Sequence, residues 1–299
     1  MGSSLYPLSL QMDTQQVAAD MQLLEGPPED RHPLNVGLLM FSEQPQRYFR
    51  YARIEIVDIP DPTGNGMTEK TFTGPIQRQL REALEWLGNY VLKVQVRKDS
   101  KQAEAGRVWN YPFAAVEEIL ANAVYHRSYQ IPEPITVRIT PESMEITSFP
   151  GFDRSISDEA IARHDIRARS YRNRRIGDFL KELRLIEGRN TGFPTARKAL
   201  LENGSGELRF EMDPERSFLS VTIPVHRQFA PESKAEKQLQ YEQRLLDCLR
   251  EQPLDLTGLA AAMGYKGISA RLRTAVEVLL REGRISTVTE GRKIRYTAQ

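Results

Sequence analysis

The hydrophobic pattern predicts alternating helices and strands over most of the chain. Apolar residues at every third or fourth position predict helices, and strict alternation of apolar and polar residues predicts strands. The predicted helices span 15–24, 75–90, 111–129, 174–186 and 191–201. The predicted strands span 52–58, 91–97, 135–139, 144–147, 207–211 and 218–225. A basic stretch at 153–172 has weak periodicity, and we expect a mobile loop with one short helix there.

The last sixty residues have a different pattern. A polar, charged linker at 227–239 precedes three predicted helices and two short strands around Glu290-Gly291, an order typical of a winged helix-turn-helix. The helices are predicted at 241–250, 257–263 and 269–282. We therefore divide the chain into an N-terminal extension that we expect to be shortened, a large α+β domain, a linker and a winged helix domain. Their ranges are 1–34, 35–226, 227–239 and 240–299.

The predicted helix at 111–129 has an unusual polar stripe. Glu118, Asn122 and His126 follow one another at intervals of four residues and therefore rise along one face. A carboxylate and a carboxamide one turn apart, backed by an apolar face, can hold a water molecule and a metal ion. We interpret His126 and the neighbouring Arg127 as structural residues.

Charge is concentrated in two segments, although the net charge of the chain is only +1. From Arg163 to Lys198 there are eleven basic and four acidic residues, and from Lys266 to Gln299 there are eight basic and three acidic residues. Each segment is either a solvated face or a surface that meets phosphate. The single cysteine, Cys248, excludes a disulfide framework and suits a reducing cytoplasm. No window approaches eighteen apolar residues, so we expect no membrane partner.

Several common catalytic motifs are absent from the sequence. It contains no GxxxxGK[ST] phosphate loop, no HExxH metal motif and no GxSxG nucleophile elbow. These absences argue against a P-loop helicase and against the common zinc-protease and serine-hydrolase classes.

Three motifs in order resemble a known family. The stretch YPFAAVEEILANAVYHRSY resembles an N-box helix, Tyr171-Arg172-Asn173 an Arg-Asn loop, and RLIEGRNTGFPTARKAL a second glycine box. They are similar to those of bacterial and archaeal regulators that join a divergent GHKL-type ATP-binding domain to a helix-turn-helix, some of which are labelled helicase-related or divergent AAA-type. The similarity extends from about Asn35 to Val225. It implies a GHKL-type α/β sandwich, with a mixed, mostly antiparallel sheet and helices on one face.

The resemblance also implies a binding site for ATP and Mg²⁺. Asn122 would coordinate the Mg²⁺ that bridges the phosphates, and Glu118 would act as general base for water. The other residues that the resemblance assigns to nucleotide binding are Ser148, Gly151, Ser170, Arg172, Asn173 and Gly192.

The sequence departs from the family pattern after the second predicted hairpin strand. There it has Ser148-Phe149-Pro150-Gly151-Phe152, with Phe149 where a polar residue is expected and Phe152 where a second glycine is expected. Glycines let the backbone approach phosphate closely. Two bulky rings would instead narrow the purine pocket or stack on the base.

In the predicted winged helix, basic residues lie at the two places that DNA binding requires. Ser269 is a good N-cap for the third helix, and Arg271 and Arg273 lie at its start, where a recognition helix meets base edges. In the predicted wing, Arg292, Lys293 and Arg295 lie beside Ile294 and Tyr296. The expected partner is double-stranded DNA, although winged helices also mediate protein contacts.

Three functions remain open at this stage. The first is a transcriptional regulator that binds DNA and senses ATP and Mg²⁺, with slow hydrolysis at most. The second is a non-enzymatic scaffold with a vestigial nucleotide pocket that serves dimerisation or protein contacts. The third is an active ATPase that acts on nucleic acid. A cytoplasmic homodimer is the expected assembly.

Overall fold

The protein has two compact units, Met1–Ala230 and Pro231–Gln299. The computed structural model describes residues 12–97, 106–163, 166, 171–186, 192–232, 234–290 and 293–299. The division after Ala230 lies within the segment for which the sequence predicts a linker.

A six-stranded sheet forms the centre of the first unit. Its strand order is β4-β3-β7-β8-β10-β9, and only the pair β3–β7 is parallel. The strands are β3 (Ile54–Asp58), β4 (Thr68–Phe72), β7 (Ile135–Ile139), β8 (Ser143–Ser148), β9 (Arg209–Glu211) and β10 (Leu219–Pro224). The prediction of a mixed, mostly antiparallel sheet in an α+β fold is confirmed.

Alternation along the strands selects one face of the sheet for the core. In β7, Ile135, Val137 and Ile139 are buried, whereas Arg138 is exposed. Apolar residues of β3, β8 and β10 join the same core. Removing these side chains from water stabilises the fold by about 25 cal/mol for each Å² of apolar surface buried.

The helices of the first unit vary in length from one to four turns. They are α1 (Thr14–Asp20), α2 (Asn35–Phe41), α3 (Ile76–Trp86), α4 (Phe113–His126), α5 (Asp158–Ala162), α6 (Arg174–Glu182) and α7 (Gly192–Asn203). Helix α4 contacts β8, β10 and α7. Seven of its fourteen residues are buried, which makes it the central helix of this core.

Two small hairpins complete the first unit. Strands β1 (Leu24–Glu25) and β2 (His32–Pro33) pair near the N-terminus. Strands β5 (Val94–Arg97) and β6 (Gly106–Trp109) form a separate antiparallel pair.

The predicted strand at 91–97 is too long at its start. A π-helical turn, Leu87–Val91, continues from α3. Its first and last residues, Leu87 and Val91, are both buried. The sequence pattern does not predict strand β4, because four of its five residues are exposed at the edge of the sheet. Its sequence, TEKTF, therefore lacks the apolar alternation of an inner strand.

The second unit contains three helices and a hairpin. Its elements are α8 (Lys234–Glu251), α9 (Leu256–Ala262), α10 (Ala270–Arg281), β11 (Ile285–Glu290) and β12 (Lys293–Ala298). Asp255 caps α9, and the Ser269 hydroxyl caps α10 by accepting a hydrogen bond from the Leu272 N–H at 3.1 Å. A bridge between Leu254 and Tyr296 places a third short extended segment beside β12.

Among the residues that the structure describes, no helix has the length and apolarity needed to cross a bilayer.

Arg127 connects three parts of the first unit at the end of α4. Its side chain is 2% exposed. Nη1 donates to the Tyr51 carbonyl at 3.0 Å, Nη2 donates to the Glu133 carbonyl at 2.6 Å, and the guanidinium lies 4.8 Å from the centre of the Tyr129 ring. One planar cation thus joins the residues just before β3 and β7 to α4. These contacts agree with a structural role.

We expect Arg127→Lys to lower the free energy of unfolding by about 2 kcal/mol, because a single ammonium cannot reproduce the two-pronged contact and leaves a buried carbonyl unpaired. Urea unfolding followed by tryptophan fluorescence measures this directly, because both tryptophans, Trp86 and Trp109, lie in the first unit. The control is Arg138→Lys on the exposed face of β7, which should change stability by less than about 0.5 kcal/mol. Equal stability of the two variants would contradict the role of Arg127.

Candidate nucleotide site

A cavity of about 100 Å³ lies against the polar stripe of α4. Residues from α4, the end of β8, the turn after β8, the start of α7 and strand β10 line it. These include Asn122, His126, Ser148, Gly151, Phe152, Asp153, Arg172, Gly192, Phe193, Leu219 and Val221. The polar groups come mainly from α4, the turn and Arg172, whereas the sheet supplies mostly apolar side chains.

Glu118 and Asn122 meet the start of α7 at Gly192. A Cβ atom on Gly192 would lie 2.4 Å from Asn122 Nδ2 and 3.0 Å from Glu118 Oε2. Any larger residue would therefore force the ends of these two side chains to shift. The missing side chain lets the backbone at the start of a helix approach a carboxamide and a carboxylate directly.

The carboxamide of Asn122 is incompletely satisfied. Its Nδ2 is buried and has no hydrogen-bond partner in the part of the chain that the structure describes. An unpaired buried donor costs about 1–3 kcal/mol. A bound ligand or ion beside the cavity would supply a partner for such a group.

The Asn122–Glu118 pair suits a hard cation that retains other ligands. Among the described residues there is no cluster of three or more His, Cys, Asp or Glu side chains that could hold a metal by themselves. Mg²⁺ commonly takes one or two protein oxygens and completes its octahedron with water and phosphate. The Asn122 amide offers such an oxygen once the group is turned by 180°, which exchanges its oxygen and nitrogen positions.

Arg172 borders the cavity from the segment before α6. Its Nη1 donates to the His126 carbonyl at 2.7 Å. Guanidinium has five N–H donors, so others remain for an anionic ligand. Burial, and secondarily the charge of Arg172, lowers the pKa of His126 to about 4. His126 is consequently neutral at pH 7, whereas the Arg172 side chain at this edge of the cavity is positively charged.

The turn after β8 is held close to the sheet at Gly151. Its N–H donates to the Arg216 carbonyl at 2.8 Å, and a Cβ atom there would lie 2.7 Å from the Phe218 carbonyl oxygen. The predicted residue Ser148, at the end of β8, is buried and lines the cavity.

The two phenylalanines of this turn differ in position. Phe152 lines the cavity and makes edge-on ring contacts with Phe193 and Phe210, at centroid distances of 5.7 and 5.6 Å. Phe149 is not among the lining residues. The expectation that both rings narrow the pocket is therefore wrong for Phe149.

Asp153 and Arg216 organise the loop that follows, and the sequence analysis missed both residues. Arg216 donates to the carbonyls of Asp153 and Ile156 at 2.9 and 2.8 Å and pairs with the Asp158 carboxylate. Hydrogen bonds from Ser155, with smaller contributions from Arg172 and Arg216, hold the pKa of Asp153 below its usual value. Asp153 follows the turn SFPGF directly, and that adjacency is the signal that points to it.

The structure brings most of the predicted nucleotide-binding residues to one cavity. The lining residues among them are Asn122, Ser148, Gly151, Arg172 and Gly192. Glu118 contacts the same Gly192 from one turn earlier in α4. Asn173 is not among the lining residues, and its amide is bonded to the end of α4. Ser170 lies outside the described residues.

Comparison with known proteins places an ATPase-type region in the first unit. Residues 133–223 match the family model described as "Putative ATP-dependent DNA helicase recG C-terminal". This match supports an ATPase-type, GHKL-like superfamily for this part of the chain. The matched range runs from just before β7 to the end of β10 and begins after α4.

A solved structure shares the fold. The chain is similar to the DIP2311 protein from Corynebacterium diphtheriae, with a TM-score of 0.53 and 19% sequence identity. The similarity covers 98% of this chain and 59% of that chain, so this chain spans somewhat more than half the length of its relative. No curated protein matches the sequence.

The predicted DNA-binding residues are distributed over α10 and the hairpin of the second unit. Arg273 is exposed in the first turn of α10. The Arg271 guanidinium lies 4.2 Å from the Tyr241 ring centre. Its Nη2 donates to the Lys237 carbonyl at 3.3 Å and to the Gln238 side-chain oxygen at 3.4 Å, both near the start of α8. Arg295 is half-buried on β12. Arg292 and the side chain of Lys293 lie outside the described residues.

We expect Gly192→Ala to lower the free energy of unfolding of the first unit by about 1–3 kcal/mol, because the added methyl group collides with Asn122 and Glu118. Urea unfolding followed by tryptophan fluorescence is the measurement. Gly88→Ala is the control, because a Cβ atom there meets nothing within 4 Å, and its stability should be unchanged or slightly higher. Wild-type stability of Gly192→Ala would show that α4 and α7 do not meet as described.

Proposed function

We propose that the first unit binds ATP with Mg²⁺ in the cavity beside α4. The observation that carries this proposal is the buried, unpartnered Nδ2 of Asn122 beside the backbone of Gly192. The first N–H groups of α7 begin at this glycine, and the start of a helix favours phosphate. A carboxamide, a helix start and an arginine therefore surround one space.

Three polar residues in or beside the cavity have distinct roles in this proposal. Asn122 contributes an oxygen ligand to Mg²⁺, and the metal neutralises phosphate charge when it is bound. Arg172 binds phosphate with the N–H groups that His126 leaves free. Glu118 accepts a proton from water in a slow hydrolysis step. The apolar residues from β8 and β10, together with Phe152, contact the base.

We further propose that the second unit is a winged helix that binds double-stranded DNA. Its three helices, hairpin and bridging segment have the order of that fold. Arg273 on α10 and Lys266 before it are exposed and basic. Arg271 is held against Tyr241, so its role is to orient the start of α10, and Arg273 is the better candidate for DNA contact. The combined function is a DNA-binding regulator that senses ATP.

A scaffold with a vestigial pocket is the second candidate. The observation that favours it is the packing of Phe152 against Phe193 and Phe210. These aromatic rings occupy space that a glycine-rich loop would leave open for a ligand. The nucleotide experiment separates the two candidates.

We expect ATP with Mg²⁺ at millimolar concentration to raise the melting temperature of the wild-type chain, because a ligand that binds only the folded state stabilises it. Asn122→Ala should abolish this shift, whereas the exposed variant Asn89→Ala should retain it. Absence of a shift in the wild-type chain would reject nucleotide sensing and favour the scaffold.

If the chain hydrolyses ATP, Glu118→Gln should reduce turnover at least about a hundredfold while leaving the thermal shift in place, because general-base catalysis contributes about that much. Glu117→Gln is the matched control, since Glu117 is the preceding residue of the same helix and supplies none of the three atoms nearest to a Cβ atom at Gly192. Equal turnover in wild type and Glu118→Gln would remove Glu118 from the role of base.

We expect a mixed-sequence DNA duplex to bind with an affinity that falls steeply between about 50 and 200 mM salt, as counterions are released. Arg273→Ala should weaken binding about tenfold, equivalent to about 1.4 kcal/mol. Arg281→Ala, in the last turn of α10, should leave the affinity within about twofold. Fluorescence anisotropy of a labelled duplex measures the affinity of the wild-type chain and of both variants. Salt-independent binding, or equal effects of the two substitutions, would argue against a recognition role for the start of α10.

A further inference from the structure

Three consecutive residues, Tyr171 to Asn173, meet three consecutive residues at the end of α4. The Tyr171 ring stacks on the Tyr125 ring at a centroid distance of 5.4 Å and an interplanar angle of 14°. It also lies 5.7 Å from the His126 ring. The Arg172 side chain then bonds the His126 carbonyl.

Asn173 completes this contact with both hydrogens of its amide. Nδ2 donates to the Tyr125 carbonyl at 2.8 Å and to the Arg127 carbonyl at 2.6 Å. A helix leaves its last four carbonyls without partners inside the helix, and their burial unpaired is costly. In α4 the last regular helical bond joins the Arg127 N–H to the Ala123 carbonyl, and the carbonyls after it are satisfied by side chains, that of Val124 by the Tyr129 hydroxyl.

The residues that follow hold Asn173 in place. Helix α6 begins immediately after it, and the Gly177 N–H donates to the Asn173 carbonyl at 3.0 Å. A Cβ atom on Gly177 would lie 2.4 Å from the Tyr125 ring. The backbone of Asn173 is therefore fixed by α6 while its side chain is fixed by α4.

These contacts fix the position of the Arg172 backbone relative to Asn122. The two residues line the same cavity, and Asn122 lies one turn before His126 in α4, about 6 Å along the helix axis. Arginine has a long, flexible side chain, so its guanidinium is held in place only if its own backbone is held. The preceding residue, Tyr171, provides that restraint by stacking on Tyr125. The following residue, Asn173, provides it through its hydrogen bonds to the end of α4.

We infer that Asn173 is a positioning residue that sets Arg172 at the phosphate end of the cavity without itself contacting the ligand. This inference rests on the proposed function, because it assigns the ligand's triphosphate to Arg172. It replaces the expectation that Asn173 binds the nucleotide directly. The pairing requires asparagine, since aspartate would place a carboxylate against two carbonyl oxygens and alanine would donate nothing.

The test is a double-mutant cycle on Arg172 and Asn173. The four chains are wild type, Arg172→Ala, Asn173→Ala and the double variant, and the measurement is the dissociation constant for ATP with Mg²⁺. Each single substitution should weaken binding about tenfold, the effect of losing a hydrogen bond to a charged group. Asn173→Ala should add less than about twofold in the Arg172→Ala background, because residues that act through one another are not additive.

A second ligand separates positioning from general loss of structure. Adenosine has no phosphate, so its stabilisation of the chain in a thermal-shift titration should be the same for wild type and Asn173→Ala. Asn203→Ala is the matched control, because its Nδ2 also donates to a backbone carbonyl, that of Trp109 at 2.8 Å, and it is not among the residues that line the cavity. It should leave both ligands unaffected. If Asn173→Ala does not fold, the cycle uses Asn173→Ser, which retains one donor.

The outcomes are distinguishable. Additive losses in the cycle, or equal losses for ATP and adenosine, would overturn the role of Asn173 while leaving ATP binding intact. Failure of the wild-type chain to bind ATP with Mg²⁺ would overturn the proposed function and this inference with it.

Discussion

Satisfaction of the backbone carbonyls at the end of α4 is the constraint on which the first unit depends. The helix must end near the sheet, because Arg127 is extended and leads the chain towards β7. Its final carbonyls have no partner within the helix and need donors from elsewhere, and the bonds to Val124, Tyr125 and Arg127 are partly buried. Those donors come from Tyr129, Arg172 and Asn173, so parts of the chain nearly fifty residues apart are joined by one requirement.

The same helix end explains why structural and candidate functional residues are mixed there. Arg127 is not among the residues that line the cavity, and it joins α4 to the residues before β3 and β7. Its neighbour His126 lines the cavity and is kept neutral by burial. A rigid connection on one side of the helix thus allows the other side to present Asn122 and Glu118 at fixed positions. Pre-organisation of this kind lowers the entropic cost of binding a charged ligand.

Sequence periodicity predicted the inner elements of the sheet because their burial is one-sided. Strands β7 and β8 alternate clearly and lie within about one residue of their predicted limits. Edge strand β4 was missed because solvent on most of its surface removes the apolar signal. Only Val91, the last residue of the π-helical turn Leu87–Val91, falls within the predicted strand at 91–97, because the apolar alternation of VLKVQVR begins at Val91 and does not mark where the turn ends.

The part of the candidate site that lies on one helix could be predicted from residue spacing. The part that depends on the conformation of a turn could not. Glu118 and Asn122 are one turn apart whatever the surroundings. Whether Phe149 or Phe152 faces the cavity depends on the turn that Gly151 makes against the Arg216 and Phe218 carbonyls, and no periodicity encodes that turn. Because Phe152 packs with Phe193 and Phe210, its ring extends the apolar wall beside α7. Within the proposed nucleotide site, Phe152 therefore belongs to the apolar wall, whereas the polar groups come from α4, Arg172 and the turn after β8.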